Sequence, residues 1–276
     1  MKCGIFNREF WKYFLASIGT ISSVVTLVSF VFEWKNPDSI FVFIYMVVVL
    51  IVSGGFACWQ TWRKTSLDVK ISSTLEVKVN EGDVFEYVGN ENYVVIPVNE
   101  YFDTIVNENI INKGTIHGQF IQKYYKDNHI KLHEEIEKYF ADNEIKGQEV
   151  KREWSEGYNK KYPLGTCAII KREDTNFVLL AIAHFDENDH AYVELSEFGR
   201  SISKMCNTLA DKVQDRPVYM PLMGMGMSRL NQSGQFILKY TLDTIVGIKN
   251  LALHGGINII IYPPVAKTLN LNEIKY

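Results

Sequence analysis

VYMPLMGMGMSR, residues 218–229, is an apolar run closed by Pro221 and followed by Gly224 and Gly226 alternating with methionines. From Gly234 to about Leu253 the apolar residues recur at helical spacing, and INIIIY (257–262) is a compact apolar run of the buried-strand type. Strand, glycine-bearing loop, helix and strand in succession form the repeating unit of an α/β layer fold. His254-Gly255-Gly256 stands where the helix is expected to stop.

Upstream, the same alternation continues. Period-two spacing of Val69, Ile71, Leu75, Val77 and Val79 predicts a strand or strand pair near a sheet edge, followed by a turn at EGD (81–83). YVVIPVN (93–99) predicts a buried strand ending at Asn99. Residues 115–141 predict a helix in two pieces broken around Asp127 and Asn128. GTCAIIK (165–171) and NFVLLAIAHF (176–185) predict consecutive strands, and Leu195, Phe198, Ile202, Met205, Cys206 and Leu209 mark one face of a helix from about 193 to 213. The charge run EVKREWSEGYNKK (149–161) mixes both signs and reads as a solvated connection or insertion.

The N-terminus is different. Residues 13–32 and 40–62 contain no charged side chain, and about 20 helical residues span the roughly 30 Å hydrocarbon core of a bilayer. Pro37 lies in the short link between them, so the pair predicts a transmembrane hairpin over 1–64, with a soluble domain over 65–276. Lys2, Arg8, Lys12, Arg63 and Lys64 flank its outer ends against Lys35 in the turn. The positive-inside rule then places both termini and the soluble domain in the cytoplasm, with the chain multi-pass in the cell membrane. Gly19, Ser22, Ser23, Thr26 and Ser29, with Ser53, Gly54, Gly55 and Ala57, offer either a face for association in lipid or the packing surface of the hairpin itself. The four cysteines show no paired spacing.

The whole chain carries 29 basic and 32 acidic residues, and the first 64 hold six and three of them. The soluble part is thus acidic by about six charges, which disfavours a nucleic-acid partner.

In sheets of this kind ligands sit beyond the carboxyl ends of the strands. The loop around Gly224 and Gly226 can turn backbone N–H groups toward an anion, or serve as an ordinary strand-to-helix turn. Gly114, Thr115, Ile116 and His117 stand at a helix start, also suited to anions, and Asn99 offers an amide or a cap. HFDENDH (184–190) has ligand-type side chains without a metal spacing, and Cys167 lies in an apolar strand with no visible activator. Neither a metal site nor a catalytic residue is expected.

The order Gly82-Asp83-Val84, an apolar strand ending in Asn99, a glycine-containing helix start, PLMGMG before a helix and a final strand ending in Tyr262 resembles the macro domain over about 75–265. The resemblance implies a three-layer α/β/α sandwich with a mixed, mostly parallel sheet, and a ligand related to ADP-ribose. It implies that Asp83, beside Val84, receives the adenine amino group and that Tyr262 stacks on the ring. Leu222, Gly224, Met225, Gly226, Met227 and Ser228 would wrap the diphosphate, while Asn99 and Gly114 to His117 would face the distal ribose. Hydrolytic members resemble N-A-A-N followed by a run of glycines; here Phe102 stands at the second asparagine position and the run is reduced to Gly114. Two spans ahead of such a domain resemble the membrane-anchored macro-type effectors of the Thoeris antiphage system. That resemblance implies a non-enzymatic sensor of an ADP-ribose conjugate, histidine-linked ADP-ribose made by a TIR-domain enzyme. Such a sensor needs no cofactor, forms homo-oligomers on ligand binding and disrupts membrane lipid to abort infection. A membrane-tethered ADP-ribosyl hydrolase and a passive ADP-ribose-binding anchor are the alternatives.

Overall fold

A computed structural model describes residues 8–31, 39–60, 64–107, 109–126, 128–152, 155–213, 215–226 and 230–276. The chain divides into two compact units, Met1–Lys64 and Thr65–Tyr276.

The first unit holds helices α1 (Arg8–Val31) and α2 (Ser39–Gln60). Both contain segments long and apolar enough to cross a membrane, Phe10–Ser29 and Ile40–Gln60. Val49, Ser53 and Ala57, four residues apart, are the buried stripe of α2, and Ser17 Oγ donates to Ser53 Oγ at 3.2 Å. Gly19, Ser22, Ser23 and Thr26 lie outside that seam and are exposed. The hydroxyls of Ser23 and Thr26 donate to the Gly19 and Ser22 carbonyls at 2.8 Å each, which satisfies them within the helix itself. The small residues therefore divide: Ser17, Ser53 and Ala57 pack the hairpin, while Gly19, Ser22, Ser23 and Thr26 lie outside its seam. The Pro37 turn lies outside the described residues. Cys167 and Cys206 are free and buried.

The second unit contains β1 (Ser66–Lys70), β2 (Leu75–Glu81), β3 (Asn92–Asn99), α3 (Ile116–Tyr125), α4 (His129–Asp142), β4 (Gln148–Glu149) and β5 (Lys160–Lys161). There follow β6 (Cys167–Arg172), β7 (Thr175–Phe185), β8 (Ala191–Tyr192), α5 (Leu195–Ala210), β9 (Val218–Pro221), α6 (Gly234–Val246), β10 (Leu253–Ile261) and α7 (Pro263–Ala266). The main sheet runs β1-β2-β10-β9-β3-β7-β6, with β8 paired to β7. Its centre, from β2 to β7, is parallel, and β1 and β6 close the two sides antiparallel.

Strand alternation sorts the side chains into two cores. Val95, Val178, Leu180, Ile257 and Ile259 pack with α5 and α6, whereas Val94, Ile96, Val98, Phe177 and Leu179 pack with α3 and α4. Helices therefore cover both faces of the sheet, giving three layers. Because both faces are buried, the central strands read as continuous apolar runs rather than as alternating ones.

Two sequence expectations are corrected. Helix α6 ends at Val246, with Gly247 at its C-cap, several residues before the expected stop. His254-Gly255-Gly256 lies inside β10, at a register shift between Leu253 and Ile257. A Cβ on Gly255 would lie 2.2 Å from the Arg216 carbonyl carbon, and Gly256 has φ +75°. The glycines mark a bulge where another backbone comes close, not a helix stop. The mixed-charge run at 149–161 is not wholly solvated either: the Arg152 side chain is 7% exposed.

Candidate functional site

β3 and β9 pair over only two residues, Tyr93↔Val218 and Val94↔Tyr219, and then part. Pro97 and Pro221, which carry no N–H, stand where the strands separate and cannot supply a ladder donor. The chain after β3 crosses to α3 on one face, and the chain after β9 goes to α6 on the other. The crevice outside the carboxyl ends of two such strands is the topological switch point of the sheet. There lies a cavity of about 370 Å³, walled by Pro97 to Asn99, Ile110 to Asn112, Gly114 to His117, Ile182, Ala183, Phe185, Ala191 and Pro221 to Gly226.

Nine residues singled out in the sequence line this cavity together: Asn99, Gly114, Thr115, Ile116, His117, Leu222, Gly224, Met225 and Gly226. Gly224 has φ +85°, and a Cβ there would lie 2.7 Å from Leu230 Cδ1, so both backbone and space demand glycine. Gly226 differs, because a Cβ there would meet nothing within 4 Å. Thr115 caps α3 by accepting from Gly118 N at 3.0 Å, which satisfies one of the first-turn N–H groups that have no intrahelical partner; Ile116 and His117 at that helix start line the cavity. Among the described residues no Lys, Arg, Asp or Glu lines the cavity. An anion would be held there by backbone N–H groups and the helix dipole.

His117 is buried, and burial lowers its pKa to about 3, so the ring is neutral at physiological pH. Its Nε2 has neither a partner nor solvent access. Asn99 is more committed than a free binding amide. Its Oδ1 accepts from Tyr101 N at 3.0 Å and Asp103 N at 3.3 Å, and its Nδ2 donates to Asp103 Oδ2 at 3.0 Å. One N–H of the amide is left over.

Asp83, Val84 and Tyr262 are not part of the cavity wall. Asp83 is exposed and caps a 3-10 turn by accepting from Phe85 N at 3.0 Å, and Val84 is buried. Tyr262 directly follows β10, is 65% exposed and lies at the same sheet end, since Ile261 pairs with Glu81. Met227 and Ser228 lie outside the described residues. Of the side chains of 184–190 that suggest a metal, His184 and Asp189 are engaged elsewhere. His184 Nδ1 and Nε2 bond Glu100 and Glu197 at 2.5 and 3.2 Å, and Asp189 pairs with Arg152. Ile110 to Asn112, Phe185 and Ala191 also line the cavity and carry no sequence signal of a site.

A family model described as Thoeris protein ThsA, Macro domain, matches residues 77–262. The Thoeris protein ThsA of Bacillus amyloliquefaciens (strain Y2) is 32% identical over 225 residues, covering 81% of this chain and 73% of that protein. The chain belongs to the ThsA macro-domain family. The mixed, mostly parallel sheet with helices on both faces is thus the macro-domain architecture that the residue order implied. Solved structures similar to this ThsA-family chain include an Oceanobacillus iheyensis macrodomain mutant with ADPR, at 11% identity and TM-score 0.48, covering 74% of this chain and 95% of that one. The Trypanosoma brucei macrodomain in complex with ADP-ribose is similar at 12% identity and TM-score 0.41, covering 71% and 69%.

Proposed function

We propose that this ThsA-family chain is a Thoeris antiphage effector whose cavity binds ADP-ribose or a conjugate of it. The observation that carries the reading is the switch-point cavity bordered by the glycine loop at 222–226 and the N-terminus of α3, a helix end suited to a diphosphate. Family membership supports the Thoeris assignment.

The reading extends to a sensor rather than an enzyme. The hydrolase alternative has less support, because Phe102 is buried against Phe140 and Tyr162 and offers no second amide to the cavity. The signal is a TIR-derived ADP-ribose conjugate, with histidine-linked ADP-ribose the candidate, and the apolar helices anchor the chain in the bacterial inner membrane with the domain in the cytoplasm. Ligand favours an oligomer whose hairpins damage the bilayer. To switch a 1:99 population to 99:1, it must prefer that state by about 5.5 kcal/mol.

Titration calorimetry of the detergent-purified chain with ADP-ribose tests the binding claim; heats indistinguishable from dilution would remove it. Liposomes carrying the chain are expected to leak dye only with the conjugate, and equal leakage without it would remove the gating claim. Release of free ADP-ribose from an ADP-ribosylated substrate would favour the hydrolase.

A further inference from the structure

Arg152 lies in the mixed-charge stretch, yet its guanidinium is buried and ties three loops together. Nη1 donates to Asp103 Oδ1 and Oδ2 at 3.1 and 2.9 Å and to the Tyr158 carbonyl at 2.9 Å, and Nη2 pairs with Asp189 Oδ1 at 2.5 Å. The guanidinium also stacks on the Tyr101 ring, 4.1 Å from its centroid. Asp103, fully buried, accepts in turn from Asn99 Nδ2 and from Tyr158 N, at 3.0 and 2.7 Å. Asn99 lines the cavity on one side. Asp189 belongs to the turn between β7 and β8, flanked by Phe185 and Ala191, which also line the cavity, and has φ +56°. Arg152 itself does not line the cavity.

We propose that Arg152 is a positioning residue: bridging Asp103 and Asp189, it holds the Asn99 turn and the β7–β8 turn at a set separation and so determines how tightly the distal part of the ligand is gripped. Two features independent of the ion pairs fit this role. Phe102, in the middle of the Asn99 turn, has φ +50°, a conformation that a bulky residue keeps only when its surroundings enforce it. Gly157 packs on the bridge so closely that a Cβ would lie 2.4 Å from Arg152 Nη1 and 2.5 Å from Asp103 Oδ1. An ammonium cannot replace the planar fork, because it lacks the geometry to serve two carboxylates and a carbonyl at once.

The effect on affinity rests on the nucleotide reading above, and the test separates the two. Arg152→Lys and Gly157→Ala are made in the full chain in detergent; the second leaves every charge in place and serves if the first does not fold. Hydrogen-exchange mass spectrometry is expected to show faster exchange in 99–104 and 184–192, with β2 and β10 unchanged. Exchange that is unaltered in both segments, or raised evenly over the domain, overturns the proposal. The dissociation constant for ADP-ribose is expected to rise about tenfold in Arg152→Lys, and by less than about twofold when the substitution is made in Asn99→Ala, because the bridge acts through that amide. An unchanged constant in a folded Arg152→Lys, or an equal penalty in both backgrounds, also overturns it. Wild-type protein that fails to bind ADP-ribose defeats the nucleotide reading instead, and the exchange measurement still decides the role of Arg152.

Discussion

The loop at 222–226 and the turn at 99–103 border the same cavity, but they are held by different physics. The loop depends on glycine: Gly224 takes a conformation and a space that a side chain cannot share, and residues 222–226 line the site. The turn depends on buried side-chain charge, with Asp103 at its end compensated by Arg152, Tyr158 N and Asn99. Burial pushes the Asp103 carboxyl up, against the lowering by Arg152 and those hydrogen bonds. One wall is thus set by local backbone conformation and the other by partners 49 and 55 residues away in the chain. The first tolerates changes in charge and salt, while the second fails when a single partner is removed.

The largest effect expected from breaking this contrast is on the charged wall. Asp103→Ala leaves Arg152 buried with half its compensation and should cost about 3–5 kcal/mol, seen as a lower denaturation midpoint of the full chain. On the glycine wall, Gly224→Ala combines left-handed strain with the clash on Leu230 and should cost about 2–4 kcal/mol. A denaturation midpoint within error of wild type would contradict the geometry at 224.

Between the two walls, His117 supplies a pH dependence. Its folded-state pKa is about 3, below the ordinary value of about 6.5, so the unfolded chain takes up the proton first. The stability linked to His117 is complete above about pH 6.5 and is lost progressively between there and about pH 3, amounting to about 2 kcal/mol at pH 5. Comparing denaturation of wild type and His117→Gln at pH 7.5 and pH 5 checks this: the difference between them should shrink at the lower pH. Parallel curves would show that the ring does not remain neutral in the fold. The smallest effect on stability belongs to Gly226→Ala, within about 0.5 kcal/mol, because its Cβ enters open space. Since that space adjoins the cavity, calorimetry should still record about tenfold weaker ADP-ribose binding, a change of about 1.4 kcal/mol. Equal affinity would show that position 226 does not touch the ligand.

Much of the fold is legible in the residues because its signals are short-range. Apolar runs such as 93–99 and 176–185 mark strands buried on both faces, and the break near Asn128 marks the joint between α3 and α4. The glycines at 254–256 mislead, since a bulge and a helix stop call for the same residue. At the site, Gly224 and the α3 start are visible for the same local reason, whereas Arg152 looks like any other charge in a polar stretch.

Period, charge-free length and glycine spacing, all properties of neighbouring residues, were enough to determine two apolar helices, an α/β domain and the loops at its strand ends. Tertiary structure alone decided that β3 and β9 part after two paired residues, that Asp83 and Tyr262 stand outside the cavity wall, and that Arg152 is buried between Asp103 and Asp189. Those outcomes depend on strand register and on desolvation by distant segments, which no local pattern encodes.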